Sequence, residues 1–418
     1  MQKKLLSICT AASLLLLLSL FGQAQDKGVH FEHELSWTAV QAKAKAENKY
    51  IFMDCFTTWC GPCKYMAANI FPQEESGNFF NDKFVSIKVQ LDTTQGDNEM
   101  VKSWYKDGHD LMQTYHINAF PTFLVFAPDG HVVHRMVGGS NDAKSFIVRT
   151  EDALNPDKQY YTLLSQYQGG KKDSGFLRRL AEQSLQAYDM ENAKKVSKDY
   201  FATQKNIYTQ ACLELMDKLT TSTKDEGFAI FLNHSAQVDK VLGKGKAEKK
   251  VNDLLTREYV YSKIFKRDSP ANPDWTAIQS SLAAQYPAQA PEIIEKSKVI
   301  YYQQKSDWEH FQTAVVSYMK KYGANATPEE LNEFAWTVFQ KCPDMNCVTE
   351  ALEWSKRSFK DNNSPGFMDT YANILYKMGK KDDAIAMEEK AIGLADPATK
   401  ASLQPTLDKM KKGEKTWD

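Results

Sequence analysis

The sequence predicts two architectures within 418 residues: an α/β domain, then an all-α region of helical repeats. Three observations predict this. A run of β-forming residues at 50–56 leads through Trp59-Cys60-Gly61-Pro62-Cys63 into a helical pattern at 64–70, so a strand ends in a two-cysteine turn at a helix start. Further strand runs, punctuated by a hairpin signal, continue to residue 137. From Tyr160 to Met410 strand signals largely vanish, and apolar residues recur at three- and four-residue spacing.

A chain this long exceeds one core, so two or three domains are expected. The formal charge of −1 supplies no global attraction to nucleic acid or acidic lipid, and no nucleic-acid partner is expected. The lysine-rich stretch 244–250 reads as a solvated helix start. At the N-terminus Lys3 and Lys4 precede an apolar run at 5–21 and then Gly22-Gln23-Ala24, the pattern of a secretory signal with cleavage after Ala24. An uncleaved membrane anchor is the alternative for a run of this length. Cys9 lies inside the run, so of seven cysteines six remain in the mature chain. Export leads to an expected periplasmic location, where a dithiol stays reduced only if a partner delivers electrons to it.

In chain order, residues 31–48 have helical spacing with Ser36-Trp37-Thr38 as a start, and they lead into the 50–56 strand. Asp54 is an isolated carboxylate in that apolar strand, where desolvation should raise its pKa. Cys55 beside it reads as a buried, inert thiol. The unpaired N–H groups and dipole of the next helix favour a thiolate on the first cysteine of the turn, which makes Cys60 the nucleophile and Cys63 the resolving thiol. The chain then passes Phe71-Pro72 and Gly77-Asn78 to a strand at 84–91, and a helix at 98–115 that Gly108 is expected to split. Pro121 opens a strand at 122–126, a position that fits a cis X–Pro bond, and Asp129-Gly130 turns it back onto 131–137. A C-x-x-C pair can also be half of a metal site. His109 and His116 are the nearest histidines, no second pair lies at ligand spacing, and neither a metal nor another cofactor is expected.

Several ordered matches resemble the thioredoxin family: Trp59-Cys60-Gly61-Pro62-Cys63, Asp54 six residues before Cys60, Lys88-Val89-Gln90-Leu91-Asp92, Phe120-Pro121-Thr122 and Val137-Gly138. The resemblance implies a thioredoxin fold over 25–154. It also implies that Asp54 accepts the proton of the resolving cysteine, with Lys88 beside it, and that Cys60 and Cys63 form the redox disulfide. Trp59, Gly61, Pro62, Phe120 and Pro121 are then the substrate-binding residues, with the cis proline facing the cysteines. The long segment between Cys63 and Pro121 looks more like the domains of periplasmic thiol:disulfide interchange proteins. Ala68 departs from the family, which usually has a helix-kinking proline there, so a straighter helix is expected.

The helical part divides into an irregular region, 155–325, and clearer repeats, 326–418. Tyr371, Ala372, Leu375, Gly379, Ala384 and Ala391 resemble a tetratricopeptide repeat, in which small residues let two antiparallel helices pack closely. Ala181 with Ala193, and Ala335 with Ala351, repeat the pattern. Cys342 and Cys347 share one loop and are candidates for a structural disulfide. Cys212 reads as a buried free thiol, and Trp308, Trp336 and Trp354 as core.

Together these features predict an exported thiol:disulfide oxidoreductase, of protein-disulfide reductase type because Gly61-Pro62 matches reducing thioredoxins. Its expected partners are disulfide-containing protein substrates, a membrane electron donor or other redox partner, and a peptide or protein on the repeats. An isomerase or an oxidase remains open within the same chemistry. So does a tetratricopeptide-type adaptor or chaperone-like binding protein.

Overall fold

The computed structural model describes residues 27–266 and 272–417. The expected signal segment 1–24, Cys9 included, lies outside the described residues. Among the described residues no helix is long and apolar enough to cross a membrane. They form two compact units, one ending at Leu219 and one beginning at Thr220.

The first unit is organised by a four-stranded sheet of β1 (Tyr50–Phe56), β2 (Phe84–Gln90), β3 (Thr122–Phe126) and β4 (Val132–Val137), in the order β2-β1-β3-β4. β1 runs parallel to β2 and antiparallel to β3, and β4 returns antiparallel to β3. The period of two along β1 sorts its side chains onto two cores. Phe52 packs with Phe123, Val125, Met66, Ile70 and Phe146 on one face, while Ile51, Met53 and Cys55 meet Val40, Ala44, Trp104 and Leu111 on the other. Helix α1 (Trp37–Glu47) covers that second face and starts at Ser36, whose Oγ accepts from Ala39 N at 3.3 Å.

Helix α2 (Gly61–Tyr65) continues directly into a π turn at Met66–Ile70, in which Phe71 N donates to Met66 O at 3.0 Å. Without the family's proline the helix is therefore widened rather than simply straight. Helix α3 (Glu74–Lys83) occupies what reads in sequence as a connection. Gly77, which looks like a turn signal, lies inside it because the helix touches the segment at Lys27 and Gly28: a Cβ there would sit 2.3 Å from Lys27 O. The 98–115 stretch divides at Trp104 into α4 (Glu99–Ser103) and α5 (Tyr105–Thr114), not at Gly108. Gly108 instead admits β2, since a Cβ would lie 3.2 Å from the Leu91 side chain. Helix α6 (Ala143–Glu151) closes the first face, with Phe146 buried against Phe123 and Phe80.

The compact unit runs past residue 154 through α7 (Tyr160–Gln168), α8 (Ser174–Gln186), α9 (Met190–Ala202) and α10 (Gln210–Leu219). A buried histidine ties them to the sheet. His134 on β4 accepts from Tyr160 N through Nδ1 at 3.0 Å, and Tyr160 Oη donates to Asp189 at 2.6 Å. Ala181 and Ala193 are fully buried between α8 and α9, as the small-residue pattern predicts, and Cys212 is a buried thiol.

The second unit is all helix among its described residues. It runs through α11 (Glu226–Asn233), α12 (Ser235–Leu242), α13 (Lys246–Leu255) with its π continuation Thr256–Tyr261, α14 (Ser262–Ile264), α15 (Trp275–Ala283), α16 (Ala290–Gln304) and α17 (Trp308–Tyr322). Then come the tetratricopeptide-like pairs α18 (Pro328–Lys341) with α19 (Met345–Ser358) and α20 (Pro365–Lys377) with α21 (Lys381–Leu394), followed by α22 (Pro397–Lys412). Ala335, Ala351, Ala372, Ala384 and Ala391 are fully buried, and Gly379 turns between α20 and α21 at φ +79°. Trp354 is core and Trp308 partly so, whereas Trp336 is 38% exposed. The structural disulfide expected between Cys342 and Cys347 is not formed. Both are buried free thiols, one on each side of the α18–α19 turn.

Burial lowers the pKa of His134 to about 4 from an ordinary 6.5, so the folded protein holds it neutral. The unfolded chain binds that proton first as pH falls. The stabilisation is complete above about pH 6.5, is lost towards pH 4, and amounts to about 3 kcal/mol. Denaturant unfolding between pH 4 and 7 should therefore carry this contribution in the wild type, superimposed on those of the other groups that titrate there. His134→Asn, which keeps an acceptor without the titration, should remove it; an equal slope in both proteins would assign the acid sensitivity elsewhere.

Candidate active site

β1 delivers the chain to Thr57 and Thr58, and the turn that follows is pinned before the first cysteine. Asp92, just past β2, accepts from both Thr58 N, at 2.9 Å, and Thr58 Oγ1. The sequence motif contains Asp92 without revealing this role, because the bond depends on the parallel register of β1 and β2. Cys60 is the N-cap of α2, and its Sγ accepts from Cys63 N at 3.1 Å. A sulfur in that place receives the orphan N–H groups and the positive end of the helix, which is what stabilises a thiolate when the pair is reduced. Cys60 and Cys63 are joined as a disulfide with an S–S distance of 2.04 Å, and both are almost covered, at 3% and 4% exposed. Gly61 and Pro62 form the first turn between them, with Pro62 at a position whose N–H has no helical partner.

Asp54 shares the β1 face of Phe52, the face that α2 covers, and is fully buried. Its Oδ2 lies 3.6 Å from Lys88 Nζ, and its Oδ1 has no hydrogen-bond partner. Burial pushes the Asp54 carboxyl up to about 6, with the Lys88 ammonium acting in the opposite direction. Lys88 itself is held among the rings of Phe56, Phe31 and Phe71, at 5.1–5.6 Å from their centroids. Cys55, one residue along, faces the other core, and burial pushes its thiol far up, so it stays protonated.

Outside the cysteines, Trp59 is 69% exposed, and its ring meets Phe120 edge-on at 5.7 Å. The Phe120–Pro121 bond is cis, as the strand-start position predicts, and Pro121 O accepts from Gly138 N at 2.8 Å. The structure thus brings Trp59, Phe120 and the dithiol turn to one end of the sheet. A brace missed in the sequence holds the next loop there: Arg149 on α6 donates to Val137 O at 2.9 Å and to Gly139 O at 3.4 Å, and Ser140 N donates to Met66 Sδ at 3.3 Å. Among the described residues no group of three or more His, Cys, Asp or Glu is placed to hold a metal ion.

A thioredoxin-like domain model matches residues 38–153, the segment that builds this site. Over 117 residues the chain is 32% identical to thioredoxin H-type of Chlamydomonas reinhardtii, covering 28% of this chain and 88% of that protein. The chain belongs to the thioredoxin family. It is also 33% identical over 113 residues to thioredoxin-T of Drosophila melanogaster, across 27% of this chain and 60% of that one. Among solved structures, a protein of Bacteroides thetaiotaomicron described as a disulphide isomerase is 32% identical, across 32% of this chain and 98% of that one, with a TM-score of 0.26. The thioredoxin relationship covers the sheet domain and its dithiol, a thiol:disulfide oxidoreductase site.

In the thioredoxin site Asp54 binds its proton more tightly folded than unfolded. Its burial costs nothing below about pH 4, and an increasing amount up to about pH 6, reaching roughly 3 kcal/mol. Asp54→Asn should accordingly stabilise the oxidised protein at pH 7.5 by about 2–3 kcal/mol in denaturant unfolding. The same substitution should slow dithiol exchange and erase an inflection near pH 6 from its rate profile. An unchanged profile would remove Asp54 from proton transfer.

Proposed function

We propose that this protein is an exported reductase of protein disulfides, and that its helical pairs bind a protein or peptide partner. The observation that carries the reading is the Cys60 sulfur capping α2, with Cys63 one turn on and the buried Asp54 carboxyl on the sheet face beneath. In the reduced protein the Cys60 thiolate attacks a substrate disulfide lying against Trp59 and Phe120-Pro121, forming a mixed disulfide and expelling one substrate thiolate. Cys63 loses its proton towards Asp54 and attacks the Cys60 sulfur. The second substrate thiol leaves and the Cys60–Cys63 disulfide closes. Two electrons pass to the substrate, and a dithiol partner must return them.

Two features support the direction and the setting. Gly61-Pro62 between the cysteines matches reducing members of the family, and the N-terminal 24 residues have the pattern of a signal peptide, which would place the domain in the periplasm. A periplasmic reductase needs electrons from across the membrane. Similarity to the thiol:disulfide interchange protein DsbD of Pseudomonas fluorescens, 26% identical over 108 residues and 16% of that protein, supports exchange with such a redox partner.

The reading is tested by the reduction potential of the Cys60–Cys63 pair in the mature chain, from alkylation in graded dithiothreitol buffers. A value near −270 mV, roughly that of thioredoxin, is expected; one near about −120 mV would make the protein an oxidant. Cys63→Ser should accumulate mixed disulfides with substrate proteins and Cys60→Ser should not. Failure of both to alter exchange would move the function to the helical unit.

A further inference from the structure

The second unit holds another pair of thiols placed for the same chemistry. Cys342 is the C-cap of α18, and Cys347 lies in the first turn of α19, five residues on. Both belong to one core with Phe339, Val348 and Leu375. The turn that joins them lies at the surface, since Pro343, Asp344, Met345 and Asn346 are all exposed. The two thiols interact across the turn, with Cys347 on the proton-donating side. A cation stands beside them: Lys377 Nζ on α20 donates to Cys342 O at 3.0 Å and to Phe339 O, and rests on the rings of Phe339 and Trp417. Thiol donation and the Lys377 charge draw the Cys342 thiol below its ordinary value, while Cys347, as the donor, keeps its proton.

We propose that Cys342 and Cys347 are a second dithiol–disulfide couple, which closes by exchange with a disulfide and locks the α18–α19 joint. The Cys342 thiolate attacks one sulfur of R–S–S–R, making a Cys342–S–S–R bond and releasing RS⁻, which takes up a proton. Cys347 then gives up its proton and attacks the Cys342 sulfur, so that the Cys342–Cys347 bond forms and the second RS⁻ leaves. The pair loses two electrons and two protons, and the disulfide gains both. The buried free thiols Cys55 and Cys212 have no such neighbour, and they stay reduced. This couple is separate from the Cys60–Cys63 site and does not depend on its direction of action.

The full chain carrying Cys60→Ser and Cys63→Ser isolates the couple. After equilibration in oxidised and reduced glutathione of graded ratio, the protein is unfolded, alkylated and digested with trypsin. Both cysteines then fall on one peptide, 342–356, because no Lys or Arg separates them. The peptide should appear unalkylated and two hydrogen atoms lighter in oxidising mixtures, and doubly alkylated in reducing ones, with a single two-electron transition, while peptides holding Cys55 and Cys212 stay alkylated throughout. Double alkylation in every mixture that oxidises Cys60–Cys63 of the wild type would overturn the proposal. Lys377→Met should slow closure several-fold at pH 7, with the rate restored by raising the pH and by Lys377→Arg; an unchanged rate would overturn the role given to Lys377.

Discussion

The geometry of the active site rests on β1 being hydrogen-bonded along both edges. Its parallel pairing with β2 and antiparallel pairing with β3 set the register of Asp54 against Lys88 on one side and against Phe123 on the other. A one-residue slip would exchange the two faces of the strand. Asp54 would then point into the core of Val40 and Leu111, and Cys55 would face α2. That register is enforced by apolar burial on both sides, because Phe52 meets a cluster of rings below while Ile51 and Met53 fill the core above. The same pairing carries Asp92 to Thr58, so the turn before Cys60 is held by the sheet rather than by its own residues.

With that register held, the electrostatics of the site follow from two unequal compensations. Cys60 is placed where helix N–H groups favour a negative sulfur, which lowers the cost of its ionisation. Asp54 is placed where one of its oxygens has no donor and its cation is 3.6 Å away, so its own ionisation is made harder. The result is an anion-friendly site at the surface and a reluctant base beneath it, separated by the first turns of one helix. A carboxyl fully paired with Lys88 would remain ionised through acid pH and would be a poor proton acceptor. The long Lys88 contact, with the ammonium shared among three rings, keeps the pairing partial.

The strands, the dithiol turn and the cis proline were legible because each is written in neighbouring residues: β-formers in runs, Cys-Gly-Pro-Cys at a helix start, proline at a strand start. What escaped the sequence depends on distant backbone. Gly77 reads as a turn until Lys27 is brought against it, and Gly108 reads as a helix breaker until β2 passes beside it. The roles of Asp92 and Arg149 are likewise bonds across the fold, made to Thr58 and to the carbonyls of Val137 and Gly139. In the helical unit, buried alanines at the helix crossings were readable from spacing. Trp336 lies at the margin of its core, since a wide apolar stripe does not say which of its members lies at the edge. Cys342 and Cys347 read as neighbours, but their state is set by surroundings that include Lys377, 35 residues beyond Cys342.

Both units carry liabilities to pH that arise from one constraint, the cost of a charge without water. In the first unit His134 must be neutral to accept from Tyr160 N, so acid works against it. In the second, Glu388 of α21 is fully buried against Asp369 of α20, neither Glu388 oxygen has a donor, and Asp369 accepts from Asn373 Nδ2 at 3.0 Å. Burial raises both carboxyls, and the Asp369 carboxylate raises Glu388 further while Glu388 as hydrogen-bond donor offsets part of the rise at Asp369, so Glu388 holds the proton between them. That arrangement loses stability as pH rises from the ordinary value of 4.5 towards about 9, the reverse of the His134 case. Acid therefore loosens the sheet-bound helices and alkali the α20–α21 pair. Near neutrality both groups are uncharged, which is also the range in which a base of pKa about 6 at Asp54 is ionised and able to take a proton.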